Sequence, residues 1–491
     1  MESDDCDVAV VGGGPAGAAA AARLAAGGFR TVLIDRARFP RDKVCGDFVG
    51  PMALAELTEL GVAQTTAFGA TSTMAQLALH IDADEPAVLG IPKVGGIPGY
   101  GRVIPRLQLD AWIQEAARRA GATVLDGRKA EAVERAPDGI VVRGRSAAGP
   151  WQLHARLLLG ADGSNSMVAR TLRGGVPRSQ DRIMAVRAYF DGVEGADGRG
   201  DVWFRGDTFP GYHWLFPTGG GSANLGVGML ASTYPRSGRN LREMLLRLID
   251  EDASLRHRLR GARMRGRVLG HPLTTYNPRL PLTGDRMMLL GDAAGLINPL
   301  NGEGIQYALH SARWAAGIAG DRLASDQLDA ASLAGYQRRV QQSLRADLAL
   351  SRLIVQLIRN RNLNHVWLDA LRSIASRAKT DPDYAHHLGC VLTGLTADVS
   401  TVGTGAAARI FGQALVSPLA VASWHRVSGR GRPARLGPDG TGNSAGRATA
   451  PGEFVNWAAG TGRGLGELTS QLTRATITKS KRAGGRVRIL E

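Results

Sequence analysis

Asp7-Val8-Ala9-Val10-Val11-Gly12-Gly13-Gly14-Pro15-Ala16-Gly17, followed by an alanine-rich run to Ala26 and then by Thr31-Val32-Leu33-Ile34-Asp35, decides the fold. A short apolar run ends in Gly12-x-Gly14-x-x-Gly17, a helix-compatible run follows, and a second apolar run ends on an acid. This is the strand–turn–helix–strand opening of a dinucleotide-binding unit. The glycines permit a tight turn, close backbone approach to a pyrophosphate and packing of helix on strand. A phosphate there meets free backbone N–H groups at the positive end of the helix. Asp35, 18 residues beyond Gly17, is placed for ribose hydroxyls. FAD and NAD fit this pattern equally.

Two further glycine turns follow apolar runs. Gly160-Ala161-Asp162-Gly163-Ser164-Asn165-Ser166 comes after Arg156–Leu159 and reads either as part of a ligand site or as an Asp-Gly turn with a serine helix cap. Gly291-Asp292-Ala293-Ala294-Gly295 comes after Arg286–Leu290, and Asn298-Pro299-Leu300-Asn301-Gly302-Glu303-Gly304-Ile305 then opens a long helical stretch. Asp292 suits a polyol hydroxyl. The N–H groups from Gly302 to Ile305 favour negative charge, such as the N1/O2 edge of a reduced flavin.

Elsewhere the spacing predicts a helix over Leu107–Ala120 and strands at Ala122–Leu125 and Gly139–Val142. Short alternating runs broken by Gly and Pro between Arg182 and Arg267 predict an antiparallel sheet, with one helix near Leu241–Ile249. Later helices are expected at Leu344–Ile358 and Val366–Ala375, and a Gly/Arg/Pro/Ser-rich linker at Arg426–Gly452.

Composition narrows the function. With 491 residues, 44% hydrophobic and 21% charged, the chain can bury cores in two or three domains. The formal charge of +16 comes from 54 Arg and 6 Lys against 44 acids, and half of that excess lies from His425 onward. No basic groove interleaved with aromatics is visible, so a nucleic-acid partner is not expected. Cys6, Cys45 and Cys390 form neither a disulfide framework nor a metal pattern, so no metal site and a reducing, cytoplasmic compartment are expected. The acidic start, Met1–Asp5, does not read as a signal peptide. The uncharged run Ile410–Trp424 is 15 residues long, contains Pro418, and falls short of a membrane span.

The three turns, in this order, resemble the FAD-dependent oxidoreductases of the para-hydroxybenzoate hydroxylase fold. Phe39-Pro40-Arg41-Asp42-Lys43-Val44-Cys45-Gly46-Asp47, with Pro51 beyond, resembles the FPRDKxCGD…P segment of the geranylgeranyl reductase family. Pro210-Gly211-Tyr212-His213-Trp214-Leu215-Phe216-Pro217 followed by Gly226-Val227-Gly228 matches that family's YxWxFP…GxG signature. Menaquinone reductases are among the members it looks most like. The likeness runs over roughly residues 5 to 360.

The resemblance implies an α/β (α+β) chain: a Rossmann-like FAD-binding domain in three parts (1–75, 101–180, 276–335) interleaved with an antiparallel-sheet substrate domain (76–100, 181–275). C-terminal helices (336–424) and a basic flexible tail (425–491) follow. It further implies that Gly12, Gly14, Ala16, Gly17, Asp35 and Arg36 hold the ADP half of FAD. Arg106 lies near its phosphate or ribityl portion, and Asp162, Asp292, Pro299, Gly302, Gly304 and Ile305 line the rest. Cys45, Tyr212 and Trp214 are the expected catalytic residues, Cys45 near the flavin and the two aromatics over the ring, with Phe216 beside them binding substrate. The plain alternatives are a small buried thiol and ordinary sheet core. Phe48 stands where the family pattern has a small residue, so its ring is expected to shape the substrate cavity.

The implied activity is reduction of a C=C bond in a long isoprenoid or prenyl-quinone-like substrate, with NAD(P)H or another reductant as electron donor. A flavin monooxygenase of polyketides or terpenoids is the alternative on the same scaffold, and a flavin-bound cyclase is a third reading. A hydrophobic small molecule is the expected partner. The basic tail reads either as a contact to an anionic membrane surface or as a solvated extension.

Overall fold

The computed structural model describes residues 3–175, 182–195, 197–234 and 240–395. The apolar run Ile410–Trp424 and the basic tail lie outside the described residues.

The quoted opening forms a strand, Ser3–Val11, and a helix, Pro15–Ala26, returning to a second strand, Thr31–Asp35. Ser3–Val11 pairs in parallel with Thr31–Asp35 on one side and with Gly149–Gly160 on the other. Met287–Leu289 extends the parallel set beyond Gly149–Gly160. The register places Val11 opposite Gly160, and Gly160 opposite Leu289. All three glycine turns therefore leave neighbouring strands at the same level, at the carboxyl edge where open α/β sheets bind ligands. Residues some 280 positions apart in sequence meet there because strand ends in register must.

The first helix packs closely on this sheet. Ala18, Ala19, Ala20 and Ala21 are fully buried, since methyl side chains let helix and sheet approach. The second helix expected here runs Arg106–Arg119, with Leu109, Ile113 and Ala117 wholly buried on its inner face. A strand not anticipated from sequence, Lys129–Arg135, pairs with Ile140–Ser146, which folds back on Gly149–Gly160. Its pattern of charged and apolar residues is that of a mostly solvated ribbon, which leaves little hydrophobic periodicity to read.

A second sheet has the order Arg263–Thr274, Arg182–Asp191, Ser222–Leu230, Tyr212–Gly219, Arg199–Phe204, Gln76–Ile81, Ala87–Gly90. It is antiparallel apart from one pair: Gln76–Ile81 runs parallel to Arg199–Phe204. The 76–90 hairpin thus reaches this sheet from between two parts of the first one. Leu241–Glu251 packs on one face, around Leu215, Leu225 and Val227. A small three-stranded sheet, Phe48–Val49, Gly101–Val103 and Ser72–Met74, joins the two layers.

The C-terminal helices differ from expectation in extent. Ala330–Ile358 is one helix of 29 residues, and Asn364–Thr380 is longer than Val366–Ala375 at both ends. A further helix, Pro382–Leu392, starts on an Asp381 side chain that accepts the Tyr384 N–H, with proline in the first turn. Among the described residues no helix is long and apolar enough to cross a membrane.

Candidate active site

The carboxyl edge of the first sheet opens into a cavity of about 320 Å³. Small-molecule sites commonly measure about 300–1,000 Å³, and this cavity lies at the lower end of that range. At one end lie Pro15, Lys43, Cys45, Arg106, Asp292 and the Pro299–Ile305 loop. The remainder is almost wholly apolar, drawn from the second sheet and the C-terminal helices.

The glycine turn explains itself by contact. A Cβ on Gly12, whose φ is +108°, would stand 2.2 Å from the Ala161 carbonyl oxygen, and one on Gly17 would stand 1.9 Å from the Gly12 carbonyl oxygen. First turn, second turn and helix are therefore in backbone contact, which only glycine permits. Gly14 is open: the nearest atoms to a Cβ there would be the Arg41 and Arg106 guanidinium nitrogens, at 3.6 and 4.0 Å. No side chain caps the helix that begins at Pro15. Uncapped N–H groups faced by two arginines are what a pyrophosphate requires, and the residues present fit FAD.

Asp35 accepts hydrogen bonds from the backbone N–H of Gly13 (2.6 Å) and Ala37 (2.7 Å), so its carboxylate ties the turn to the second strand. Arg36, beside it, is exposed. Arg106 is buried and holds Asp110 with two bonds of 2.7 Å, and Arg41 reaches the same carboxylate at 2.9 Å. Burial opposes the Arg106 charge, but Asp110, joined by Cys45 and Asp292, more than offsets it and keeps the guanidinium cationic.

Asp292 receives the Lys43 ammonium at 3.0 Å and the Ser164 hydroxyl at 3.4 Å. Burial works against its ionisation, yet Lys43 holds its carboxyl below the usual range. Asp162 turns away from the cavity. It accepts from the Ser166 hydroxyl and from the N–H of Met167 (2.6 Å) and Val168 (3.3 Å), while Ser166 caps the helix. In this structure its side chain makes the turn-and-cap arrangement rather than lining the cavity. Short polar side chains bond readily to nearby backbone N–H groups, and here that bonding consumes the carboxylate.

The N–H groups expected to face an anionic ring edge are met by the chain's own Glu303. Its carboxylate accepts from the Gln306 N–H at 3.0 Å, and the Ile305 and Gly304 N–H groups also support it. Burial nonetheless pushes its pKa up to about 7. Glu303 lines the cavity beside Tyr212, whose hydroxyl donates to the Asn301 carbonyl.

The YxWxFP…GxG signature is a consequence of register. Tyr212 pairs with Gly228 and Trp214 with Gly226. A Cβ on Gly226 would stand 2.2 Å from the Trp214 ring, so the indole lies flat over bare backbone. Trp214 donates to Asn224 Oδ1 (3.0 Å), and Asn224 donates to the Cys45 carbonyl (2.7 Å) and to Asp47 (2.7 Å). Tyr189 donates to Asp47 at 2.5 Å. Asp47 is wholly buried in left-handed backbone (φ 63°), and burial pushes its pKa up to about 6. Arg187, 2% exposed, holds Asp42 at 2.5 and 2.6 Å. The FPRDKxCGD segment is thus pinned along its length: Asp42 to Arg187, Lys43 to Asp292, the Cys45 carbonyl and Asp47 to Asn224.

Burial raises the pKa of the Cys45 thiol, and Arg106 recovers only part of the shift. A protonated thiol is a weak nucleophile. Gly46 leaves the Trp214 and Phe216 rings room, since a Cβ there would be 3.4 Å from both. The Phe48 ring lies over Gly101, where a Cβ would come within 2.3 Å of it, and 6.0 Å from the Phe216 ring centre. The extra bulk at position 48 is accommodated by a glycine on the neighbouring strand. His213 alternates to the other sheet face, where burial lowers its pKa to about 4.

Sequence reading assigned no role to Asp47, Asn224, Arg187, Tyr189 or Glu303. Asp47 and Glu303 lay inside quoted motifs. Asn224, Arg187 and Tyr189 carried no local signal, because strand register alone brings them to the site.

The pyrophosphate cradle, the three aligned turns and the adjoining apolar chamber define an FAD-dependent oxidoreductase. An FAD binding domain family matches residues 5–228. A menaquinone reductase of Mycobacterium tuberculosis is 36% identical over 339 residues, 65% of this chain and 78% of that protein. Digeranylgeranylglycerophospholipid reductase 1 of Methanopyrus kandleri is 28% identical across 76% of this chain and 96% of its own length. The chain belongs to the geranylgeranyl reductase family of FAD-dependent oxidoreductases. Among solved structures, a geranylgeranyl bacteriochlorophyll reductase-like protein of Thermoplasma acidophilum superposes with a TM-score of 0.69 at 23% identity, covering 84% of this chain and 98% of that one. A flavin-dependent brominase has a TM-score of 0.67 at 19% identity, covering 86% and 99%. Both show the shared fold.

Proposed function

We propose that this chain reduces a carbon–carbon double bond in a long isoprenoid or prenyl-quinone-like substrate. The observation that carries this reading is the apolar chamber joined to the dinucleotide cradle, with Tyr212, Trp214 and Phe216 on its wall. Reducing the bond adds a hydride to one carbon and a proton to the other. Bound FAD, reduced by NAD(P)H or another donor, supplies hydride chemistry.

The chain's residues supply the rest. Gly12, Gly14, Gly17, Asp35, Arg106 and Asp292 hold the cofactor. The aromatic row and Cys45 shape a dry place for the alkene, where proximity supplies much of the rate. The Glu303 carboxyl, whose pKa burial pushes up to about 7, can exchange a proton at Oε on the cavity wall near neutral pH. Each isoprene unit buried contributes about 3–4 kcal/mol, so the substrate is held with few polar contacts. Because such substrates reside in bilayers, the working location is the cytoplasmic membrane surface.

The test is anaerobic. FAD-loaded protein reduced with dithionite should regain its oxidised spectrum on addition of a prenyl lipid, with a saturated bond in the product. If dioxygen alone restores the spectrum and an oxygenated product appears, the protein is a monooxygenase and the reading fails.

A further inference from the structure

The helix Asn364–Thr380 lies beyond the family motifs, yet it forms part of the chamber. Trp367, Ala370, Leu371 and Ile374, at helical spacing on one face, line the cavity. Ala370 and Ile374 share a packed cluster with Leu79, Val202 and Trp214. The same aromatic row that stands beside Cys45 is therefore backed by this helix.

Its outer face is clamped to the substrate sheet. Arg372 reaches three carboxylates: Asp82 at 2.6 Å, Asp84 at 2.9 Å and Asp369 on its own helix at 2.7 Å. Asp82 and Asp84 sit in the turn of the 76–90 hairpin, and Lys379 donates to the Glu85 carbonyl in that turn at 3.0 Å. At the helix start, Asn364 donates to the Phe209 carbonyl at 2.8 Å. The next helix, Pro382–Leu392, is tied to the cofactor loop, where Asn301 donates to the Leu392 carbonyl at 3.0 Å. These helices span from the hairpin to the flavin-side loop, fixed at both ends by polar bonds and apolar between.

We infer that the Asn364–Thr380 helix is the wall that sets which hydrocarbon lengths the chamber accepts, with Trp367, Ala370 and Ile374 as its gauge. Resting on the prenyl-reductase reading, this assigns a substrate-selecting role to a segment outside the motifs that carry the family resemblance. A chain laid along the aromatic row away from the polar end meets this face. An indole, a methyl and a branched side chain there decide how many methylenes find room. The Arg372 clamp keeps the wall at a fixed distance from the sheet.

The experiment measures affinities of a ladder of all-trans prenyl alcohols, from farnesol upward, for FAD-loaded protein by displacement of a fluorescent alkyl chain. Trp367→Ala removes bulk and should move the preferred length up by at least one isoprene unit. Ala370→Leu adds bulk and should weaken the longest bound alcohol roughly 100-fold while sparing the shortest. Opposite shifts from two substitutions on one helix are not a consequence of misfolding, and retained FAD absorbance checks the fold. Parent protein that binds the ladder but gives variants with unchanged length profiles overturns the gauge and leaves the reductase reading standing. Parent protein that binds no prenyl alcohol overturns both.

Discussion

The polar and apolar ends of the cavity are built by opposite means. At the polar end the backbone does the work: three turns leave adjacent strands in register, and their glycines touch one another's main chain. At the apolar end side chains do it, contributed by the 76–90 hairpin, the second sheet and helices from Ile354 onward. Backbone geometry tolerates no substitution, whereas a packed apolar wall tolerates many of similar volume. The cofactor end is therefore the part least able to accept change, and the chamber is where side chains can be exchanged to suit another substrate.

This contrast predicts unequal sensitivity. Gly17→Val should have the largest effect, because its Cβ would overlap the Gly12 carbonyl oxygen at 1.9 Å and separate helix from turn. Loss of essentially all bound FAD is expected, with destabilisation exceeding about 4 kcal/mol, read by absorbance and by thermal unfolding. A yellow, stable Gly17→Val protein would break the distinction between the two ends. Glu303→Gln keeps the shape but removes the exchangeable acid. Turnover should fall about 10²–10⁴-fold while FAD content stays near the parent level, measured by single-turnover reoxidation. Unchanged turnover would return Glu303 to a helix-capping role.

Sequence made the polar end legible because each glycine turn follows a strand and carries its signal locally. Gly12, Gly17 and Asp292 stand in such turns, and Asp35 ends the strand that Gly13 bonds to. Asp162 shows the limit of that approach. Its motif reads equally as a site or as a turn with a serine cap, and only in the folded chain are both carboxylate oxygens seen bonded to Ser166, Met167 and Val168. The network around Cys45 was legible only in part. The CGD segment was visible, but Asn224 reaches it from the strand paired with Trp214, 177 residues from Asp47. Arg187 and Tyr189 reach it from yet another strand. The Asn364–Thr380 wall left no functional signal, since an apolar helix face reads the same whether it packs on core or on ligand.

Asp292→Ala sharpens the comparison from the cofactor side. It frees Lys43 and removes a buried carboxylate that Ser164 and Lys43 both address. Retained FAD should drop about 10- to 100-fold in affinity, the range for losing one charge-assisted bond. Equilibrium dialysis of the variant measures it, and affinity equal to the parent would remove Asp292 from the cofactor site.

The smallest net effect at neutral pH belongs to Asp47, which stands where the two ends meet. Burial raises its pKa from 3.8 to about 6 against the pull of Tyr189, Asn224 and two arginines. A raised carboxyl binds its proton more tightly in the folded chain than in the unfolded one. Stability from this group is therefore fully present below pH about 4 and is lost as pH rises to about 6, at most about 3 kcal/mol. Asp47→Asn does not titrate, but it gives up part of the bonding to Tyr189 and Asn224, worth about 1–2 kcal/mol. The stability of the variant relative to the parent should therefore climb by up to about 3 kcal/mol between pH 4 and 6 and then level, leaving the variant about 1–2 kcal/mol ahead at pH 7. Urea unfolding across that range measures the slope. A flat difference would mean that Asp47 stays ionised throughout, and that the wall beside Cys45 is wetter than the apolar end it adjoins.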